Sequence, residues 1–317
     1  MNAERRNGAQ EPIRLSDHFS YGRLIRFTMP TIIMMIFTSI YGVVDGLFVS
    51  NVVGKTEFAA LNFVFPFIMV LGGAGFMIGT GGTALVAQQL GQGNKQKANH
   101  TFTTMVSFTI LLGVILTVIG IAVIRPVCVL LGATPEMIEG CVVYGRVTIA
   151  FTAAFMLQNV FQSFLAAAEK PKLGLFVTVA AGLTNAVLDA VFIAGFRWGL
   201  AGAALATGIG QALSTGVYLV VYASTELPVR LRRACLKLDK ELDTRLYSIG
   251  IPAILNLALP SLLVTFLNSL LAAFSGSYVV VLGIYYKLQT FLYLPANGIV
   301  QGMRPLISYN YGAGEHK

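Results

Sequence analysis

This sequence predicts an all-α polytopic membrane protein, and three observations carry the prediction. Hydrophobic residues make up 56% of the 317 and charged residues only 11%, where an ordinary soluble domain carries about 25% charged residues. The apolar residues gather into eight stretches of bilayer length, each near the roughly 20 residues needed to cross the hydrocarbon. Lysine and arginine fall mainly in alternate connecting segments.

In chain order, residues 1–22 are polar with no apolar core, so they read as a cytosolic tail and not as a signal peptide. Spans follow at residues 24–49, 58–84, 102–124, 142–167, 173–196 and 200–222, giving a six-helix N-terminal lobe over 23–223. Residues 224–245 mix charges of both signs at amphipathic spacing and read as an inter-lobe linker on the inner membrane surface. Two more spans, 246–274 and 279–303, make 246–317 the start of a second, incomplete six-helix lobe.

With the N-terminus inside, the outer loops hold only Lys55, Arg125 and Arg197. Arg146 and Lys287 fall within spans, and the remaining basic residues lie inside, as the positive-inside rule requires. The net charge of +8 therefore reflects topology and calls for no nucleic-acid partner.

Function classes fall away in turn. Cys128, Cys141 and Cys235 show neither metal-ligand spacing nor an even framework, although the first two share the outer face. His18, His100 and His316 lie on termini or a loop, so no histidine metal site or catalytic triad is readable. Gly72, Gly73, Gly75, Gly79, Gly81 and Gly82 crowd one span, yet no Lys-Ser/Thr follows. Close helix packing explains them better than a phosphate loop. No enzyme and no cofactor are expected.

A weak internal repeat is visible. LVAQQLGQGNKQ after span two lies without gaps on LISYNYGAGEHK after span eight, with Gly81, Gly91 and Gly93 opposite Gly302, Gly312 and Gly314. Pro30 and Pro252 fall at nearly the same offset. An even number of spans separates the copies, so both halves enter from one side, a parallel repeat of the kind common in secondary transporters. By that logic four more helices would complete the second lobe.

Two carboxylates lie inside spans, Asp45 and Asp189. A charge at the middle of a span costs about 2.5–3.5 kcal/mol on insertion scales, so each marks a candidate functional site. Tyr41 and Asp45 share one helix face, as do Asn185 and Asp189, and Gln158 and Gln162 repeat the interval on span four. Thr207 stands amid Ala and Gly on span six. Such oxygens suit a small hard cation or a transported proton. The amides and Thr207 would equally serve hydrogen bonds between helices.

Six blocks in order, FTMPTIIMMIFTSIYGVVDGLFV, GTGGTALVAQQLGQGN, FQSFLAAAEKPK, LTNAVLDAVFIAGF, WGLAGAALATGIGQ and LPANGIVQGMRPLISYNYGAGE, resemble the multidrug and toxic compound extrusion (MATE) family, in its MepA-like branch. The resemblance implies two six-helix lobes and a secondary active multidrug antiporter in a bacterial-type plasma membrane. Such an antiporter exports small organic, often cationic, compounds in exchange for H⁺ or Na⁺ by alternating access. It implies a cation site of the N-terminal lobe at Asp45, Asn185, Asp189 and Thr207 with Tyr41 beside it, and a bending helix at Pro30. Gln158 and Gln162 would line the substrate path, and Lys287 resembles a basic residue of the MepA-like branch.

The chain departs from the family pattern at AAAEKP after span four and in a span seven without an acid, and it stops after the eighth helix. A monomer in the lipid bilayer is expected. The rival readings are a lipid or lipid-linked-precursor flippase of the same superfamily and a non-transporting fragment.

Overall fold

The computed structural model describes residues 13–17, 19–224, 227–229 and 276–315, with isolated helical positions at 255, 259, 263, 266, 267 and 270. Most of the expected linker and of span seven, with Pro252, Cys235, His18 and His316, lies outside them. Among the described residues eight helices are bounded, in order: α1 Tyr21–Phe48, α2 Lys55–Gly91, α3 Lys95–Leu130, α4 Ile138–Ala150, α5 Thr152–Ala167, α6 Pro171–Asp189, α7 Gly199–Ser224 and α8 Gly276–Ala313. Among the described residues there is no strand.

Local chemistry sets the ends. Asn94 caps α3 by accepting the Lys97 N–H at 3.0 Å, and Pro171 opens α6, where its missing N–H costs nothing. Five of the helices are long and apolar enough to cross a membrane, and α4 with α5 makes a sixth if the bent pair is one span. This matches the six spans expected before residue 223.

Span four differs from the expected single helix. It breaks at Phe151, and its halves meet at 52°. A carbonyl released there is not left bare: Thr117 Oγ1 of α3 donates to the Ile149 oxygen at 3.2 Å, and Thr215 Oγ1 of α7 adds a bond to the Ala154 oxygen in the first turn of α5 at 2.9 Å. In lipid such side-chain substitutes are what make a helix break tolerable.

Small residues bring the helices together. A Cβ on Gly75 would lie 2.5 Å from Met156 Cα, and one on Gly113 would lie 2.7 Å from Ala153 Cα. Near the residue-91 end of the bundle, Phe102 packs on Phe164 and Tyr222 with ring centres 4.8 and 4.9 Å apart. Large apolar side chains such as Val70, Val118 and Leu292 point outward, as lipid-facing positions do.

Helix α8 lies along α1 and α2. A Cβ on Gly298 would come within 2.7 Å of Ile32 Cα, and one on Gly302 within 3.2 Å of Thr28 Cα. At the helix ends the contact is reciprocal. A Cβ on Gly91 would strike the Tyr309 carbonyl, and one on Gly312 would strike the Gln88 carbonyl. In the sequence repeat Gln88 aligns with Tyr309 and Gly91 with Gly312, so each copy grips the other at the same place.

The same equivalence governs the helix terminations. Gly93 and Gly314 adopt φ of 76° and 78°. Asn94 N–H reaches the Gln89 oxygen at 3.0 Å, and Glu315 N–H reaches the Asn310 oxygen at 2.9 Å. Both are the six-to-one bond of a glycine-ended helix. The repeat is thus present in backbone conformation as well as in sequence.

Replacing Gly91 or Gly312 by Ala should therefore force the ends of α2 and α8 apart, at an overpacking cost of about 1–3 kcal/mol. Spin labels on the exposed Gln92 and Glu315 read the separation. It widens in those variants and stays unchanged in Gly73→Ala, where a Cβ meets nothing within 4 Å.

Candidate functional site

The site forms where α1 and α6 pack together. Gly182 makes the approach possible, since a Cβ there would sit 2.7 Å from the Phe37 ring and 3.2 Å from that of Tyr41. One and two turns beyond, the Tyr41–Asp45 face of α1 meets the Asn185–Asp189 face of α6. Across from them α7 presents Gly210, whose Cβ would stand 3.6 Å from the Asn185 Cβ. Asn185 Nδ2 can therefore donate to Thr207 Oγ1, at 3.3 Å.

Asp189 is fully buried and neither of its carboxyl oxygens has a hydrogen-bond partner; Oδ1 of Asp45 is likewise buried and unpartnered. The two carboxyl groups lie close enough to feel each other's charge. Among the described residues neither forms an ion pair; Arg146 on α4 is exposed. Burial of a charge without a partner is among the most expensive arrangements a protein can hold, so this pair has capacity for a positive charge that the protein itself does not fill.

Both carboxylates adjoin departures from α-helical winding. Asp189 ends α6 and is followed at once by a π-helical turn, Ala190–Gly195. Asp45 lies one turn before a second, Val49–Val53, and its carbonyl accepts the Val49 N–H. The two π turns touch one another. Wider winding of this kind recurs at functional sites because it re-aims side chains and loosens backbone bonding.

Sequence reasoning missed Tyr144. It is 5% exposed on α4 and lies near both carboxylates, with the buried, unpartnered Thr148 hydroxyl one turn on. The Tyr144–Thr148 interval was a usable signal. The break at Phe151 puts α4 and α5 on different axes, so the polar face of α5 does not continue along α4.

The remaining candidates stand elsewhere. Pro30 is fifteen residues before Asp45, about 22 Å along the helix. Gln158 Oε1 is buried without a partner, and Gln162 Nε2 contacts Met34 Sδ at 2.8 Å. Lys287 belongs to α8, and its side chain lies outside the described residues. Cys128 and Cys141 are buried free thiols. Among the described residues no three His, Cys, Asp or Glu side chains cluster. Asp45, Asp189, Asn185 and Thr207 instead make a set of hard oxygen donors, the kind that suits a small cation.

Comparison with known proteins gives a consistent picture. The chain is 26% identical over 291 residues to the multidrug export protein MepA of Staphylococcus haemolyticus (strain JCSC1435), covering 91% of this chain and 64% of that protein. MepA of Staphylococcus aureus (strain MSSA476) is 25% identical over 293 residues, covering 92% and 65%. This chain thus spans just under two thirds of the length of those relatives. A solved outward-facing multidrug resistance MATE family transporter shares the fold with a TM-score of 0.86 at 23% identity, covering 92% of this chain and 65% of that one. A MOP superfamily transporter from Pyrococcus furiosus Vc1 does so with a TM-score of 0.86 at 22% identity, over the same shares. The MatE family profile matches residues 30–191, more than half of the chain. The protein therefore belongs to the MatE family, as a multi-span helical membrane protein.

Proposed function

We propose that this chain carries the ion-coupling lobe of a secondary active multidrug exporter, which expels organic, often cationic, compounds in exchange for inward H⁺ or Na⁺. The observation that carries the reading is the Asp45–Asp189 pair, buried with three carboxyl oxygens unpartnered. Membership of the MatE family and similarity to proteins named multidrug export protein MepA support the cargo class.

The mechanism follows from charge. While empty, the pair repels itself and favours a state in which water from the outside reaches it. A proton or Na⁺ neutralises it, with Asn185 and Thr207 supplying neutral oxygens and Tyr41 and Tyr144 narrowing the water around it. The lobe can then repack with the charge enclosed. An ion drives this change only to the extent that it binds one state better than the other. Pro30 cannot donate to the Arg26 carbonyl and so gives α1 a weak point at which to bend. A lipid flippase would call for a cationic cavity at this site, and the carboxylates give the site the opposite polarity.

In this reading residues 23–223 form one lobe, 224–245 the linker and 246–317 the beginning of a second lobe. The N-terminus lies in the cytosol, the protein sits in the plasma membrane, and it works as a monomer.

In vesicles holding the full chain, Asp45→Asn and Asp189→Asn should each reduce ion-driven efflux of an organic cation to the level of empty vesicles. Undiminished efflux in both would overturn the reading. Thr207→Val removes one neutral ligand worth about 1 kcal/mol. It should raise the half-saturating ion concentration about fivefold and leave the maximal rate largely intact.

Orientation has its own test, using cysteines at the exposed positions Glu136 and Gln96 in a cysteine-free background. An impermeant maleimide should label Glu136→Cys on intact cells and Gln96→Cys only after permeabilisation. The reverse pattern would invert the topology.

A further inference from the structure

A second polar site lies toward the residue-91 end of the bundle, away from the carboxylates. A cleft there is bounded by Arg304 and Gln301 of α8, Thr31 of α1, Thr80 and Thr83 of α2, and Gln162 of α5. Thr31 precedes Asp45 by fourteen residues, about 21 Å along α1. Among the described residues that line the cleft there is no carboxylate.

Two observations indicate that the cleft is a binding site and that its ligand is an anion. Arg304 is half-buried, and among the described residues its side chain has no ion-pair or hydrogen-bond partner. Buried guanidinium groups ordinarily face a carboxylate or phosphate, whose geometry their planar fork matches. Opposite it Thr83 is 3% exposed, and its hydroxyl, buried without a partner, borders the same cleft. A cation flanked by hydroxyls and amides, with no acid to balance it among the described residues, has the chemistry of an oxyanion site.

We propose that this cleft binds an oxyanion, a carboxylate or phosphate group, held by Arg304 and Gln301 on one side and by the α1 and α2 hydroxyls on the other. The ligand joins the two halves of the repeat, because Arg304 comes from α8 and Thr83 from α2. It can bridge them only while Gly91 and Gly312 remain in contact, so it stabilises closure at that end. The site does not depend on ion coupling at Asp45 and Asp189.

The shared chemistry has two sources, a soluble anion or the headgroup of an anionic lipid, and the test separates them. The full chain is placed in phosphatidylcholine nanodiscs and its thermal midpoint followed against inorganic phosphate and acetate at constant ionic strength. The titration is then repeated with phosphatidylglycerol in the nanodisc. A concentration-dependent rise in phosphatidylcholine identifies a soluble oxyanion, and a rise that appears only with phosphatidylglycerol identifies the headgroup.

In either case Arg304→Gln should weaken binding about tenfold or more, and Thr83→Val by a smaller factor. Asp189→Asn should retain the effect, which keeps this result separate from failure of the coupling site. The Gln92–Glu315 label distance should shorten or sharpen as the anion is added. Absence of any rise in both lipids, or an equal rise in Arg304→Gln and Thr83→Val, would overturn the proposal.

Discussion

In hydrocarbon a backbone carbonyl released from its helix has no water to turn to, and this constraint orders the whole bundle. Helices may break only where another helix supplies a donor. At the break of span four, Thr117 of α3 reaches the freed Ile149 carbonyl, and Thr215 of α7 reaches the Ala154 carbonyl just beyond it. The ends of α2 and α8 close on their own backbone through the left-handed glycines 93 and 314. The π turns after Asp45 and Asp189 are looser departures, and they lie beside the least satisfied side chains of the bundle. Backbone slack and unfilled charge capacity coincide there, as expected where a structure must change state.

Much of this could be read before any coordinates. Span positions need only length and apolarity, so seven of the expected segments reappear as helices or as the bent α4–α5 pair. The four-residue interval puts Tyr41 with Asp45 and Asn185 with Asp189 on shared helix faces, and the family resemblance is what joined the two faces into one candidate site. The repeat was readable because its glycines answer backbone demands: Gly91 and Gly312 for close approach, Gly93 and Gly314 for left-handed φ.

What was hidden depends on partners distant in sequence. No Pro or Gly marks Phe151; the bonds that support its break come from residues 32 and 61 positions away. Missing the break meant missing the direction of Tyr144. Arg304 read simply as one of the inside positive charges, because a count of lysines and arginines says nothing about which cation faces hydroxyls and which faces lipid headgroups. Small-residue contacts have the same character: Gly182 and Gly210 look alike in sequence, and only packing shows that they set the α6 approach to α1 and α7.

In the proposed cycle, helix α1 links the two ends of the bundle. Near its start, Thr28 and Ile32 are held against Gly302 and Gly298 of α8. Near its other end, Asp45 faces Asp189 of α6. Any change at Asp45 must reach the gripped segment through one helix over about 25 Å. A rigid rod would transmit it as a rotation that the tight α8 contact resists. Pro30 falls inside the gripped segment, between Thr28 and Ile32, and removes one backbone bond there. The helix is therefore most compliant where it is most tightly held. In the proposed cycle, motion at the carboxylate end would be absorbed as a local bend near Pro30 before the α2–α8 contact opens.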